Sequence, residues 1–262
     1  MISTYFRVLT KSFKLRLAKL MVYKVSFLFR MLAWMVFDFI GPIFALVVYA
    51  NSAGFPGWTF WQYILFNGAM VLVWAIAGVF VLNLVGTVSK AVREGYLDRT
   101  KVRPLNTLGL SIAKSIDVNP LSSVLVGLFL IILAITRLGS ISGINIVAFA
   151  GVSLLAIAFL AALAVFVAAI AFISVKSQGL WQILHAAEEY ASYPLNIYPG
   201  GLKFAFTFIL PVGLAGFYPA QALLGRLDLG LIPWLVLVTF SFLTLALLFW
   251  SWALKRYTSA GG

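Results

Sequence analysis

Residues that can do chemistry are few in this sequence. The chain holds one histidine and no cysteine, which excludes cysteine nucleophiles and most metal sites. His185 stands shortly before the one adjacent acid pair, Glu188 and Glu189. This pattern is half of a metal site, but on a surface helix it is more typical of a solvated face. No GxxxxGK[ST] phosphate loop occurs, so we expect neither a catalytic site nor a cofactor in this chain.

Asp38 is an acid within an apolar stretch, about 12 Å along a helix from Arg30. An acid at membrane depth is a functional hypothesis: it contacts a polar or cationic substrate or carries a proton. The alternative is a structural hydrogen bond to Asn67 or Asn83 on the next apolar stretch. The two asparagines either line a pathway with Asp38 or hold helices together. Pro42, just beyond Asp38, predicts a kink.

The elements that position these residues are membrane helices. The chain is 63% hydrophobic and 10% charged, with a mean hydropathy of +1.06, far from the composition of a soluble domain. We therefore expect one polytopic, all-α membrane domain over residues 1–262. The net charge of +12 indicates contact with membrane lipids and a cytoplasmic concentration of Lys and Arg, rather than nucleic acid.

Runs of about 20 apolar residues mark the spans. The sequence predicts six, at residues 25–50, 58–88, 118–137, 144–175, 202–217 and 229–254. A basic amphipathic helix at 1–24 should lie in the membrane interface. Residues 176–201 read as a cytoplasmic segment. Residues 218–228 read as an outer re-entrant segment buried in protein, or else as an apolar surface loop.

Orientation follows from the distribution of Lys and Arg. With the N-terminus inside, 17 of the 19 Lys and Arg residues fall on the inner side, and only Arg137 and Arg226 fall outside. This imbalance predicts that both termini are cytoplasmic.

The densest charge between two spans lies in the loop at 89–110, between spans two and three. A glycine break and an Arg-Pro stop predict a small helix across the cytoplasmic face. Leu97 and Val102 would anchor it in a partner's groove, with Asp98 and Arg103 setting the register by charge. The alternative is that its cations bind lipid headgroups and fix topology.

The same loop resembles a known family. Gly95-Tyr96-Leu97-Asp98, four residues, then Arg103-Pro104-Leu105 is similar to the G-x-L-D-x4-[RK]-P-L motif of ABC-2 type transporter permeases. The match is nearest to a subgroup long described only as a domain of unknown function. The late Tyr193–Pro199 run, Ile209-Leu210-Pro211 and Tyr218-Pro219-Ala220 agree in order and spacing. Arg99, Thr100 and Lys101 depart from the more apolar family pattern.

The resemblance implies a half-transporter subunit in a bacterial or archaeal cytoplasmic membrane. It implies six helices, an interfacial N-terminal helix, a cytoplasmic coupling helix after span two and an outer re-entrant element between spans five and six. It also implies two separate ATP-binding subunits holding ATP and Mg, and a second permease that is a non-identical homologue or a second copy. Such systems export amphiphilic compounds, lipids or drugs. The coupling contact would comprise Gly95, Leu97, Asp98, Arg103 and Pro104.

Two readings from other functional classes remain beside this one. One is an ATP-independent membrane enzyme or insertase. The other is an ion-coupled carrier that uses Asp38.

Overall fold

A computed structural model of the protein describes residues 10–11, 13–15, 18, 22, 24–101, 106–174 and 179–258, with the backbone alone for 99–101. The regular elements in these ranges are all helical. Most of the predicted interfacial helix at 1–24 lies outside the described residues, as do Val102, Arg103 and Pro104.

The helices pack as a bundle. In chain order they are α1 (Lys24–Asp38), α2 (Ile40–Asn51), α3 (Phe60–Ala77), α4 (Leu84–Arg93), α5 (Tyr96–Lys101), α6 (Thr107–Ser115), α7 (Leu121–Leu138), α8 (Gly143–Ile170), α9 (Leu180–Ala191), α10 (Gly200–Phe204), α11 (Phe217–Leu223) and α12 (Ile232–Arg256).

Five stretches of the described chain are long and apolar enough to cross a membrane. They are Lys24–Asn51, Phe60–Arg93, Leu121–Leu138, Gly143–Ile170 and Leu229–Arg256. They correspond to the first four predicted spans and the last one. The protein is therefore a helical, multi-pass membrane protein, while the predicted count of six spans is not confirmed by these five.

The first of these stretches is interrupted at Phe39, between α1 and α2. Pro42 has no N–H, so it cannot bond the carbonyl of Asp38 four residues earlier. At the break itself, the N–H of Phe39 is shared between the carbonyls of Met35 at 3.3 Å and Val36 at 3.2 Å. The break therefore lies where Pro42 predicts a kink, and Asp38 is the last residue before it.

The second stretch is the centre of the bundle. In its most apolar window 83% of residues are buried, against 11% in the first stretch and 17% in the last. It begins at a capping box formed by Thr59 and Gln62 and is interrupted by a π-helical turn at Gly78–Leu82. Within that turn the carbonyl of Val79 accepts the N–H of Asp117 at 2.9 Å. The loop before α7 is therefore held against the middle of the central helix.

Two glycines bring α3 and α7 into backbone contact. A Cβ added to Gly127 would lie 2.8 Å from the nitrogen of Leu72 and 3.0 Å from the carbonyl oxygen of Gly68. A Cβ added to Gly68 would lie 2.9 Å from the Cβ of Leu130. Small residues permit such close approach of helices in lipid, and here neither glycine has space for a side chain.

Helices α8 and α12 run parallel to each other. Ring pairs join Phe159 to Phe242 at 5.3 Å and Phe166 to Phe249 at 4.7 Å, so residue numbers rise along both helices in the same direction. The chain that connects the end of α8 to the start of α12 must therefore return along the length of the bundle.

Helix α9 carries much of this return, while the cytoplasmic placement of residues 176–201 stays a prediction. Its Trp181 lies against Gly86 of α4, where an added Cβ would meet the indole nitrogen at 3.1 Å. Just beyond its other end, the ring of Tyr193 lies 6.4 Å from Phe55, which precedes α3. The segment thus runs along the central stretch, from the level of Gly86 toward its N-terminal end. The physical reason is an apolar helical face that packs into the bundle, formed by Leu180, Leu184, Ala187 and Ala191.

The predicted span at 202–217 is not one continuous helix. Its apolar helical part, Gly200–Ile209, is about 15 Å long at 1.5 Å per residue, about half the thickness of a hydrocarbon core. The chain then turns at Leu210 and Pro211 and continues as a 3₁₀ turn at Val212–Ala215. The missing N–H of Pro211 explains why the helix ends there.

The region predicted as an outer re-entrant segment, 218–228, begins within α11. Helix α11 is packed between α8 and α3 and buries Tyr218 and Ala220 among others. After it, Arg226 donates to the carbonyl of Gly57 at 3.5 Å, just before α3, and to Gln62 Oε1 at 3.2 Å, in the first turn of α3. Its placement in a membrane stays a prediction.

The glycine contact predicts a difference between two alanine substitutions. Gly127→Ala should lower the free energy of unfolding by about 1–3 kcal/mol, since its methyl group meets backbone atoms that cannot move aside. Gly151→Ala is the matched control, because nothing lies within 4 Å of a Cβ there. Thermal unfolding of both variants in one detergent measures the difference. Equal midpoints would contradict the contact.

Candidate functional site

The predicted pathway residues Asp38, Asn67 and Asn83 line two adjoining cavities between α1, α2, α3, α9 and the start of α7. The first has a volume of about 570 Å³ and includes Asp38 and Asn67. The second has a volume of about 180 Å³ and includes Asp38 and Asn83. Together we call them the polar cavity. The residues that line both spaces are Asp38, Met70, Val71, His185 and Glu188.

Asp38 enters the cavity from the last turn of α1. Ser123 of α7 lies beside its carboxylate and lines the same space. The Oδ2 of Asp38 is buried and accepts no hydrogen bond within the described part of the chain. The residue beside Asp38 is thus Ser123 and not the predicted partner, Asn67 or Asn83, and Oδ2 remains available to a ligand or a proton.

Asn67 enters the cavity from α3 and is 5% exposed. Its Oδ1 is buried with no hydrogen-bond donor in the described chain. Its amide group lies directly against Gly41 of α2, where any side chain would collide with it. The glycine thus lets α2 pass close to Asn67. A buried acceptor without a donor is costly, so the amide is suited to a ligand or water that supplies one.

Helix α9 adds polar residues that the sequence did not place in the pathway. His185 and Glu188 line both cavities, and Glu189 and Ser192 line the larger one. His185 Nδ1 lies 3.6 Å from Glu188 Oε2. The sequence does contain a signal for this role. His185, Glu188 and Ser192 recur at helical spacing on the face of α9 that lies opposite its apolar stripe.

The half-motif of His185 and two glutamates does not assemble into a metal site. No group of three or more His, Asp or Glu side chains in the described ranges is arranged to hold a metal ion. The alternative prediction, a solvated helix face for His185 and the two glutamates, is also incomplete, because His185 and Glu188 line the cavity.

The cavity is acidic and aromatic. Four carboxylates line it: Asp38, Asp117, Glu188 and Glu189. No Lys or Arg is found among the described lining residues. The aromatic lining consists of Trp34, Phe37, Phe44, Tyr63, Trp74, Trp181 and Tyr193. This combination is suited to a ligand that is apolar and carries positive charge.

The predicted coupling residues lie at the far end of the central stretch. Gly95 follows α4 with a φ of +70°, a conformation that glycine adopts without strain and that turns the chain into α5. Leu97 of α5 is 1% exposed and packs in this chain's own core. It is therefore not presented to a partner, unlike the anchor the sequence suggested. The roles of Gly95, Asp98, Arg103 and Pro104 stay predictions, the last two outside the described residues.

A protein-family model described as ABC-2 family transporter protein matches residues 32–261. No curated protein and no solved structure matches the chain. The matched region begins within α1 and extends beyond α12, so it includes the polar cavity and the charged loop.

The absence of native cysteine allows a direct test of solvent access. Ser192→Cys should react with a charged methanethiosulfonate, because Ser192 lines the larger cavity. Ser115→Cys should resist it, because Ser115 is 0% exposed and does not line the cavity. The mass of the intact protein reports labelling. Similar labelling of both variants would show that water does not reach the cavity selectively.

Proposed function

Because the chain belongs to the ABC-2 family of transporter proteins, we propose that it is the membrane-spanning permease subunit of an ATP-binding cassette exporter. The observation that carries the proposal is the family match over residues 32–261. The five long apolar helices support it, since they build a multi-pass bundle. The exported compound is amphiphilic, which includes lipids and drugs.

The energy for transport comes from other subunits. The sequence contains no phosphate loop, and permeases of this family normally work with ATP-binding subunits. Two such subunits, each holding ATP and Mg, pair with two permeases. The second permease is a non-identical homologue or a second copy of this chain. ATP binding moves the permeases between inward- and outward-facing states, because the ATP-bound subunits bind one state more tightly.

The sixth crossing is made by α9 and the residues after it. The parallel course of α8 and α12 supports this, because the chain between them returns along the bundle. Residues 200–223 then form the re-entrant element on the outer side. Lys203 moves to the outer side with it, and the distribution of Lys and Arg becomes 16 inside and 3 outside out of 19. Both termini remain cytoplasmic, in a bacterial or archaeal cytoplasmic membrane.

The polar cavity is the substrate pathway. It brings Asp38, Asn67 and Asn83 together with His185 and Glu188 beside the central helix. The charged loop after α4 is the contact for the ATP-binding subunits, with Gly95 providing the turn and Asp98 and Arg103 the charges. Because α4 continues the central helix into this loop, a displacement of the loop acts directly on one wall of the cavity.

An ion-coupled carrier is the second candidate, and the cavity itself favours it. The sequence alone offered one membrane acid, whereas Asp38 faces the same space as His185 and Glu188. A set of titratable groups of this kind is able to relay protons. Such a carrier would work without an ATP-binding subunit.

Gentle solubilisation from the native membrane distinguishes the two candidates. An exporter permease should bring down an ATP-binding cassette subunit at a fixed stoichiometry, identified by mass spectrometry. A chain that transports in proteoliposomes and never brings down such a subunit would refute the exporter and favour the carrier.

Charge reversal tests the loop. Asp98→Arg combined with Arg103→Glu should abolish stimulation of the partner's ATPase by transport substrates, because like charges then meet across the contact. Membrane insertion should be unchanged. Lys203→Glu, an exposed charge on another element, is the control and should leave stimulation intact. Normal coupling in the double variant would refute the role of this loop.

A further inference from the structure

We propose that the polar cavity binds lipophilic organic cations, and that positive charge on an aromatic framework is what selects the exported compound. The inference rests on the proposed function, since it names the substrate class of that pathway. It depends on three features of the cavity: its charge, its aromatic walls and one buried amide.

The charge of the cavity is opposite to that of the protein. The chain has a net charge of +12 and only seven carboxylate side chains. Four of these seven line the cavity: Asp38, Asp117, Glu188 and Glu189. Lys and Arg are both missing from its described lining. Carboxylates gathered in one cavity favour a cation and exclude an anion.

The two central carboxylates come from different helices and face the same space. Asp38 on α1 and Glu188 on α9 line both parts of the cavity. The imidazole Nδ1 of His185 lies 3.6 Å from Glu188 Oε2. A cation between Asp38 and Glu188 would be attracted by both carboxylates, so both should contribute to binding.

The walls supply the apolar part of the recognition. Trp34, Trp74 and Trp181 line the smaller space, and Tyr63 and Tyr193 line the larger one. Ring faces attract cations and bury apolar frameworks at the same time. The larger volume, about 570 Å³, lies in the range of about 300–1,000 Å³ that is usual for small-molecule sites. A small inorganic cation would leave most of this surface unused.

Asn67 is an observation independent of the acids. Its side chain is 5% exposed, and its Oδ1 has no hydrogen-bond donor in the described chain. Buried acceptors are nearly always paired. A ligand with N–H groups pairs this acceptor, which favours cations that carry amino or iminium groups over those without a donor.

Two dyes with the same framework and opposite charge test the proposal. Rhodamine 123 is a xanthene cation with N–H groups, and fluorescein is a xanthene anion. The full chain is placed in phosphatidylcholine nanodiscs, with empty nanodiscs as the blank, and fluorescence anisotropy is measured without nucleotide. Rhodamine 123 should bind saturably, with an affinity at least about tenfold higher than that of fluorescein.

Neutral variants locate the binding. Asp38→Asn and Glu188→Gln should each weaken rhodamine 123 binding about tenfold, and Asp38→Glu should largely retain it because the charge remains. Asp228→Asn is the matched control: Asp228 is exposed outside the cavity and caps Gly230 with an oxygen that asparagine keeps. Elution profile and thermal midpoint verify that each variant is folded.

Two results would overturn the proposal: equal binding of both dyes, or wild-type rhodamine binding by a folded Asp38→Asn, Glu188→Gln double variant. The proposed function is tested separately by recovery of an ATP-binding subunit. A chain that binds cations but recovers no such subunit retains the cation site and loses the exporter role. A chain that recovers the subunit but binds both dyes equally retains the exporter role and loses the cation site.

Discussion

The backbone contact between Gly68 and Gly127 is the constraint on which the bundle depends. Apolar side chains gain little by leaving lipid for one another, so membrane helices are held together by close packing. With α7 this near, α3 can also be covered by α8, α2 and α11, and the central stretch becomes the most buried of the five. Asn67 precedes Gly68, and successive helix residues point about 100° apart. The glycine contact with α7 therefore leaves Asn67 facing α2.

The polar cavity follows from interruptions in the helices around this centre. Pro42 breaks the first stretch after Asp38, and the π turn at Gly78–Leu82 precedes Asn83. Each interruption removes regular helical hydrogen bonds, and other groups then satisfy the freed backbone, as Asp117 does for Val79. Polar side chains accordingly gather where the helices are irregular. In a membrane bundle such sites are tolerated only when protein or water covers them.

Local patterns in the sequence were sufficient for much of the fold. Five spans, the break near Pro42 and the membrane class follow from apolar length and from a missing N–H, which depend on neighbouring residues alone. The resemblance carried by the loop at 95–105 indicated the family that the match over 32–261 shows. Segments with mixed signals are harder to place from the sequence alone. Helix α9 has only 12 residues and a polar face, so it reads as a surface helix. Leu97 reads as exposed because its neighbours are charged.

By itself, the sequence determined that the protein is a multi-pass helical bundle, that Asp38 lies within an apolar stretch and that this chain has no phosphate loop. Only the tertiary structure decided that α9 runs along the bundle, that Leu97 is buried and that Glu188 faces Asp38. The physical reason is that length and hydropathy are properties of one segment. A cavity, in contrast, is the space that several segments leave between them, and its lining depends on crossings such as that at Gly68 and Gly127, which join residues far apart in the chain.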